Sequence, residues 1–380
     1  MTIAEQQFFE LLRAGLWGRN ADAGMFKGQV DWKQVLHAAS SQTVLIIVAD
    51  GIETLPKELW PSKDTMLKLM MMRIKTRQMH QLLNSTLNEI TTALTAEGIP
   101  SILLKGQGVA QNYIRPESRS CGDIDLYVGM ENFMEACRVV GEISCTPIEE
   151  GIDSPHHMHM KMNGVEIEVH KKADYMPSER SDRSLQEWTA ELLDDNFRSG
   201  NLPHWDNDGT SISLAPETFD AFFIFHHMVR HMTTAGVGMR QLCDWSMYLH
   251  RHHDKVDTAV LQAKLKEYKL EQVWNEFGKL AVVHLGLPAS SLPLCPEILE
   301  SGKTEKIIRQ IMISGNFGHH DAANKLHKSV KEQGYMKKKW RDFRFQSSRL
   351  IRLLSIFPEY IISYAWGWIT GGISRVSNHQ

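Results

Sequence analysis

The chain reads as an α+β protein, with a small mixed sheet in the middle flanked by N-terminal and C-terminal helical regions. Three observations predict this. Apolar residues recur at helical spacing through residues 1–98, segments of period two follow between residues 101 and 170, and helical spacing returns after Pro216. At 380 residues the chain exceeds one small core. The expected division is 1–98 for N-terminal helices, 99–205 for the sheet-bearing core, 206–345 for a C-terminal helical domain and 346–380 for an aromatic, apolar tail.

The first helix carries Phe8, Leu11, Leu12 and Leu16 on one face, and a second starts near Asp31 and runs through Val35, Leu36 and Ala39. A long helix is expected from about Lys63 to Glu97. Its stripe of Leu67, Met70, Met71, Ile74, Met79, Leu82, Leu83, Leu87 and Ile90 is assigned to the core, and Gly98 and Pro100 end it. Ser101–Leu104 is a short apolar strand before Lys105-Gly106. A short helix from Gln107 to about Tyr113 and a polar loop from Ile114 to Gly122 come next. Asp123–Val128 alternates acidic and apolar residues, as a half-buried strand does, and Glu131–Gly141 is helical.

The clearest local signal is Asn163-Gly164 between two alternating runs, His157–Met162 and Val165–His170. A type I′ turn needs positive φ at both central residues, which Asn and Gly supply. A two-residue turn sets Met162 opposite Val165, Lys161 opposite Glu166, His159 opposite Glu168 and His157 opposite His170. One face then holds Met158, Met160, Met162, Val165, Ile167 and Val169 and belongs in the core. The other holds His157, His159, Lys161, Glu166, Glu168 and His170, a dense set of metal- and phosphate-binding groups. From Pro216, at the first turn of a helix with Phe219, Phe222, Phe223 and Phe225, the chain is helical again. Gly236 and Gly238 break it, a helix from Met239 carries Arg240 and Asp244, and more follow from Asp257 to about Leu285.

Asp123 and Asp125, two apart on a strand, point to the same side about 7 Å apart at a rise of about 3.3 Å per residue. Such a pair grips one or two hard cations, and a third carboxylate from a neighbouring strand completes a site with positions open for phosphates. Glu168 is the first candidate for that third group and Glu166 the second. Gly122, just before the pair, permits close approach of a triphosphate.

The segment LLKGQGVAQNYIRPESRSCGDIDLYV resembles the nucleotidyltransferase core, in which a glycine-bearing strand-to-helix turn precedes a strand with paired carboxylates. More specifically it is similar to an uncharacterised bacterial nucleotidyltransferase family with a Leu-Lys-Gly turn, here Leu104, Lys105 and Gly106. The same family has an Arg-x-x-Gly-Asp-Ile-Asp-Leu block, here Arg119, Gly122, Asp123, Ile124, Asp125 and Leu126. Glu168 and His170 match its acidic residue two before a His, and His227, His231, Gly238, Arg240 and Asp244 match its downstream helical region. The resemblance covers roughly residues 5 to 250. It implies Asp123 and Asp125 as ligands of Mg2+ (or Mn2+), and Glu168 as a further ligand or the base on an acceptor hydroxyl. Lys105, Gly106, Arg119 and Gly122 would face the phosphates of a nucleoside triphosphate. The usual Gly-Ser or Gly-Gly dipeptide appears here as Lys-Gly-Gln, so Lys105 substitutes charge for backbone.

Other residues carry plainer readings. His159 and His170, with His157, are expected to hydrogen-bond around the carboxylates. His227 and His231, four apart, suit a substrate-facing or packing role, and Arg240 with Asp244 suits an intrahelical ion pair or a place at the site. A net charge of −3 gives no global field for nucleic acid. Five widely spaced cysteines form no CxxC pair, so neither a zinc knuckle nor a disulfide framework is suggested, and a reduced cytoplasmic setting fits best. The N-terminus reads as an amphipathic helix, not a signal peptide. The tail from Leu353 to Ile373 follows a basic stretch, Lys325 to Arg352. Its expected state is a helix packed on the body, with peripheral membrane contact as the alternative. The function expected is transfer of a nucleoside monophosphate to a hydroxyl. A silent nucleotide-binding scaffold and a metal-dependent glycosyltransferase are the alternatives.

Overall fold

The computed structural model describes residues 1–145, 157–194, 198–295, 302–315 and 335–377. The chain divides into two compact units, one of Leu67–Met176 with Arg180–Asp220, the other of Met1–Met66, Pro177–Glu179 and Ala221–Gln380.

In the first unit, β1 (Ile102–Leu104), β2 (Asp123–Tyr127), β3 (His157–Met162) and β4 (Val165–His170) form one sheet in the order β1-β2-β4-β3. The β3–β4 hairpin turns on Asn163 (φ 55°) and Gly164 (φ 83°), and its register is the expected one, from Met162 opposite Val165 to His157 opposite His170. β2 lies antiparallel to β1 and parallel to β4, so the sheet is mixed. A parallel pair needs a crossover, and the helix Gly129–Ser144 runs in the connection between β2 and β3.

Alternation decides which face is buried. Ile124, Leu126, Met158, Met160, Ile167 and Val169 pack beneath the sheet against Leu83, Leu87, Ile90 and Leu94 of the helix Lys63–Ala96. Phe133, Cys137 and Val140 of Gly129–Ser144 complete that core. The opposite face keeps the acidic and imidazole groups.

The long helix begins and ends where its sequence says, but part of its stripe is not core. Leu67, Met70, Met71 and Ile74 are exposed, with Met72. The reason is length. A helix of 34 residues extends about 50 Å, and the six-residue strands beneath span only about 20 Å. The first turns overshoot the sheet. A second hairpin, β5 (His204–Asn207) with β6 (Thr210–Ser213), was unmarked in the sequence reading, although Asp208-Gly209 is a turn signal of the same kind, with φ of 49° and 89°. Asn207 Nδ2 of this hairpin donates to Asn88 Oδ1 and Asn84 O on the long helix.

The second unit is helical. The helix Glu217–Thr234 ends before Gly236, Gly238 caps Met239–His252, and Thr258–Glu267 and Glu271–Leu280 follow. Phe225, Trp245, Trp274 and Phe277 fill its core, with the Phe225 and Trp274 rings 4.9 Å apart. In the C-terminal helix Pro358–Ser377, Tyr360 and Ile361 are buried while Ile362 and Trp366 are exposed. Among the described residues no helix is long and apolar enough to cross a membrane. Of the basic stretch before it, residues 325–334 lie outside the described residues.

Gly164→Ala isolates the turn, because nothing lies within 4 Å of the added methyl. Urea unfolding is expected to show a loss of about 1 kcal/mol, the cost of a Cβ in left-handed backbone. An unchanged midpoint would contradict the turn.

Candidate metal centre

The parallel register of β2 and β4 sets Asp123 opposite Glu166, Asp125 opposite Glu168 and Tyr127 opposite His170. Oxygens of Asp123, Asp125 and Glu168 all lie within 4.8 Å of one another. Oxygens bound to one cation at 2.0–2.6 Å are at most about 5 Å apart, so this set fits a hard dication. Asp123 is exposed at the strand end, whereas Asp125 is 2% exposed. Glu166 stays apart from this group and pairs with Lys161 at 3.0 Å on the exposed rim.

Asp125 is the electrostatic centre. The Lys105 ammonium lies 3.1 Å from its Oδ1, and His170 Nε2 also lies 3.1 Å from that oxygen. Burial alone would raise this carboxyl, but the Lys105 charge and His170 outweigh it and hold it well below the usual carboxylate range. Glu168 is lowered too, against the pull of burial, by its hydrogen bond with His170, whose Nε2 lies 3.2 Å from Oε2. His170 is itself raised. Burial opposes its proton, and the two carboxylate acceptors prevail. His157, half-buried without so close an acceptor, is pulled down to about 4, so its imidazole is neutral near pH 7.

Lys105 is placed by an unusual backbone. It precedes the short helix Gly106–Ala110 with φ 55° and ψ −141°, and Gly106 follows at φ 48°. Glycine adopts such angles freely; a lysine there stores on the order of 1–3 kcal/mol of strain. The turn directs its ammonium back over β2. Gly122 leaves open space where a side chain would stand.

Arg119 is buried at the end of the loop before β2. Its Nη1 donates to Cys121 Sγ at 2.7 Å, and its carbonyl accepts from His80 Nε2 at 2.7 Å. Burial would raise the Cys121 thiol, but Arg119 and His80 lower it on balance. His80 on the long helix was missed in the sequence. Nothing at its own position marks it, because its partners lie about 40 residues on (|i−j| = 39). His157 Nε2 and His159 Nε2 are 2.8 Å apart beside Glu168.

The remaining predicted residues belong to the helical unit and are described within it. The His227 and His231 Nε2 atoms are 2.9 Å apart, and Arg230 Nη2 donates to His227 Nδ1 at 3.0 Å. Asp244 is buried, and Arg240 sits one turn before it in Met239–His252.

A glycine turn after the first strand, with paired aspartates on the next, is the arrangement of a nucleotidyltransferase core. A family model described as uncharacterised nucleotidyltransferase matches residues 28–286, and the chain belongs to that family, which places it among the transferases. No curated protein and no solved structure matches it.

Lys105→Met keeps the side-chain bulk and removes the charge. Stability at pH 7 is expected to fall by about 3 kcal/mol, the cost of breaking a buried pair. A lowered acid contributes stability that is complete above its unfolded value of 3.8 and is lost as pH falls through its folded value. The gap between variant and parent, followed by denaturant titration, is therefore expected to close below pH 3.8.

Proposed function

We propose that the chain is a metal-dependent nucleotidyltransferase that moves a nucleoside monophosphate from a nucleoside triphosphate to a hydroxyl of an acceptor. The observation that carries this reading is the convergence of Asp123, Asp125 and Glu168 within 4.8 Å from two separately encoded strands. These three would hold Mg2+ (or Mn2+), which when bound would supply charge stabilisation at the transferring phosphoryl group.

The hydroxyl oxygen forms a bond to phosphorus as the bond from phosphorus to the pyrophosphate oxygen breaks in line. Glu168, if not spent as a ligand, takes the hydroxyl proton. Lys105 stands 3.1 Å from Asp125, where its ammonium can shift from carboxylate to a phosphate oxygen. Gly106 and Gly122 keep bulk away from the path of the triphosphate, and Arg119 holds the loop between them. A net charge of −3 favours a small molecule, sugar, lipid head group or protein over nucleic acid.

The test is pyrophosphate release with nucleoside triphosphates, Mg2+ and a panel of hydroxyl acceptors. The double variant Asp123→Asn/Asp125→Asn is expected to lose about a thousandfold or more, since a metal contributes several kcal/mol to such a transition state, with its circular dichroism unchanged. Activity retained by the double variant would defeat the assignment. Triphosphate binding without release across the panel would favour a silent scaffold, and hydrolysis of nucleotide sugars a glycosyltransferase.

A further inference from the structure

We propose that the β3–β4 hairpin holds a second divalent cation, of the zinc class, through His157, His170 and Glu168. It shares Glu168 with the carboxylate site and otherwise stands on separate residues. Ligand atoms of the three lie within 4.8 Å of one another. The hairpin register produces this: His157 is paired with His170, and Glu168 follows two residues before His170 on the same face.

The donor set decides the class of ion. Imidazole nitrogens with one carboxylate suit zinc, cobalt or related dications, whereas an all-oxygen set suits magnesium. Tetrahedral zinc with bonds of 2.0–2.1 Å separates its ligand atoms by about 3.3 Å. His170 Nε2 lies 3.2 Å from Glu168 Oε2, and His157 Nδ1 lies 3.9 Å from the same oxygen. The second of these contacts closes to that separation by a shift of about 0.6 Å.

One further feature fits a ligand. A metal-bound imidazole ordinarily engages a second group through its other nitrogen. The Nε2 of His157 does so with His159 Nε2 at 2.8 Å, and His159 Nδ1 also reaches Glu168 Oε1 at 3.5 Å. His159 is thus the positioning residue for two of the ligands. Glu168, 20% exposed, and His157, 19% exposed, leave an entry path.

The experiment uses the full chain, dialysed against a chelator and then titrated calorimetrically with zinc chloride in millimolar Mg2+. Cobalt(II) chloride serves as the optical probe. One equivalent of zinc is expected to bind, and cobalt is expected to give the intense visible absorption of a four-coordinate centre. His157→Ala is expected to weaken zinc at least tenfold, His159→Ala to weaken it less, and Asp123→Asn to leave it unchanged. Should His157→Ala fail to fold by circular dichroism, His157→Asn takes its place. Zinc binding no tighter than millimolar, or binding equal to the parent in the His157 variant, overturns the proposal. Zinc binding that persists in a chain releasing no pyrophosphate sinks the transfer reading alone. Transfer by a chain that does not bind zinc sinks this one alone.

Discussion

The parallel pairing of β2 with β4 governs the chemistry of this molecule. Because side chains alternate along a strand, that register decides whether Asp125 and Glu168 share a face or sit on opposite ones. A slip of one residue would drive Ile167 and Val169 toward solvent and turn Glu168 into the core. The apolar alternation that packs on Leu83, Leu87 and Ile90 therefore also holds the carboxylates together. Core and site are two faces of one constraint.

Concentrating acidic groups on a buried face has an electrostatic cost, and neighbouring nitrogen groups answer it. Lys105 and His170 converge on one oxygen of Asp125, and His170 also reaches Glu168. The lysine serves there only because its backbone takes a conformation suited to glycine. Strain at one residue and compensation of a buried charge at another are coupled through a single turn.

Much of this was legible in the sequence. Asn163-Gly164 between alternating runs fixed both the hairpin and its face assignment, since turn chemistry and alternation act over a few residues. Paired aspartates two apart, with Glu168 as third partner, followed from the same period, with the family resemblance supplying their order. What could not be read is long-range. The contact of His80 with the Arg119 carbonyl depends on how a helix lies over a loop, which no local pattern encodes. The exposure of Met70 and Met71 depends on the helix outrunning its sheet, a mismatch of lengths invisible to periodicity. The Asp208-Gly209 hairpin did carry a local signal, but its flanking runs are only four residues each.

The connection between β2 and β4 also bears on how the protein comes into being. Asp123 and its partner Glu166 are 43 positions apart (166 − 123), so their pairing must meet the entropy of closing a long loop before any contact repays it. The β3–β4 hairpin, closed by two residues, forms on a microsecond scale. The natural order is hairpin first and docking on β2 afterwards, with slow parallel pairing as the later event. On a ribosome the three carboxylates stay dispersed until the chain beyond His170 has emerged. No nascent chain that ends before Glu168 can carry the centre.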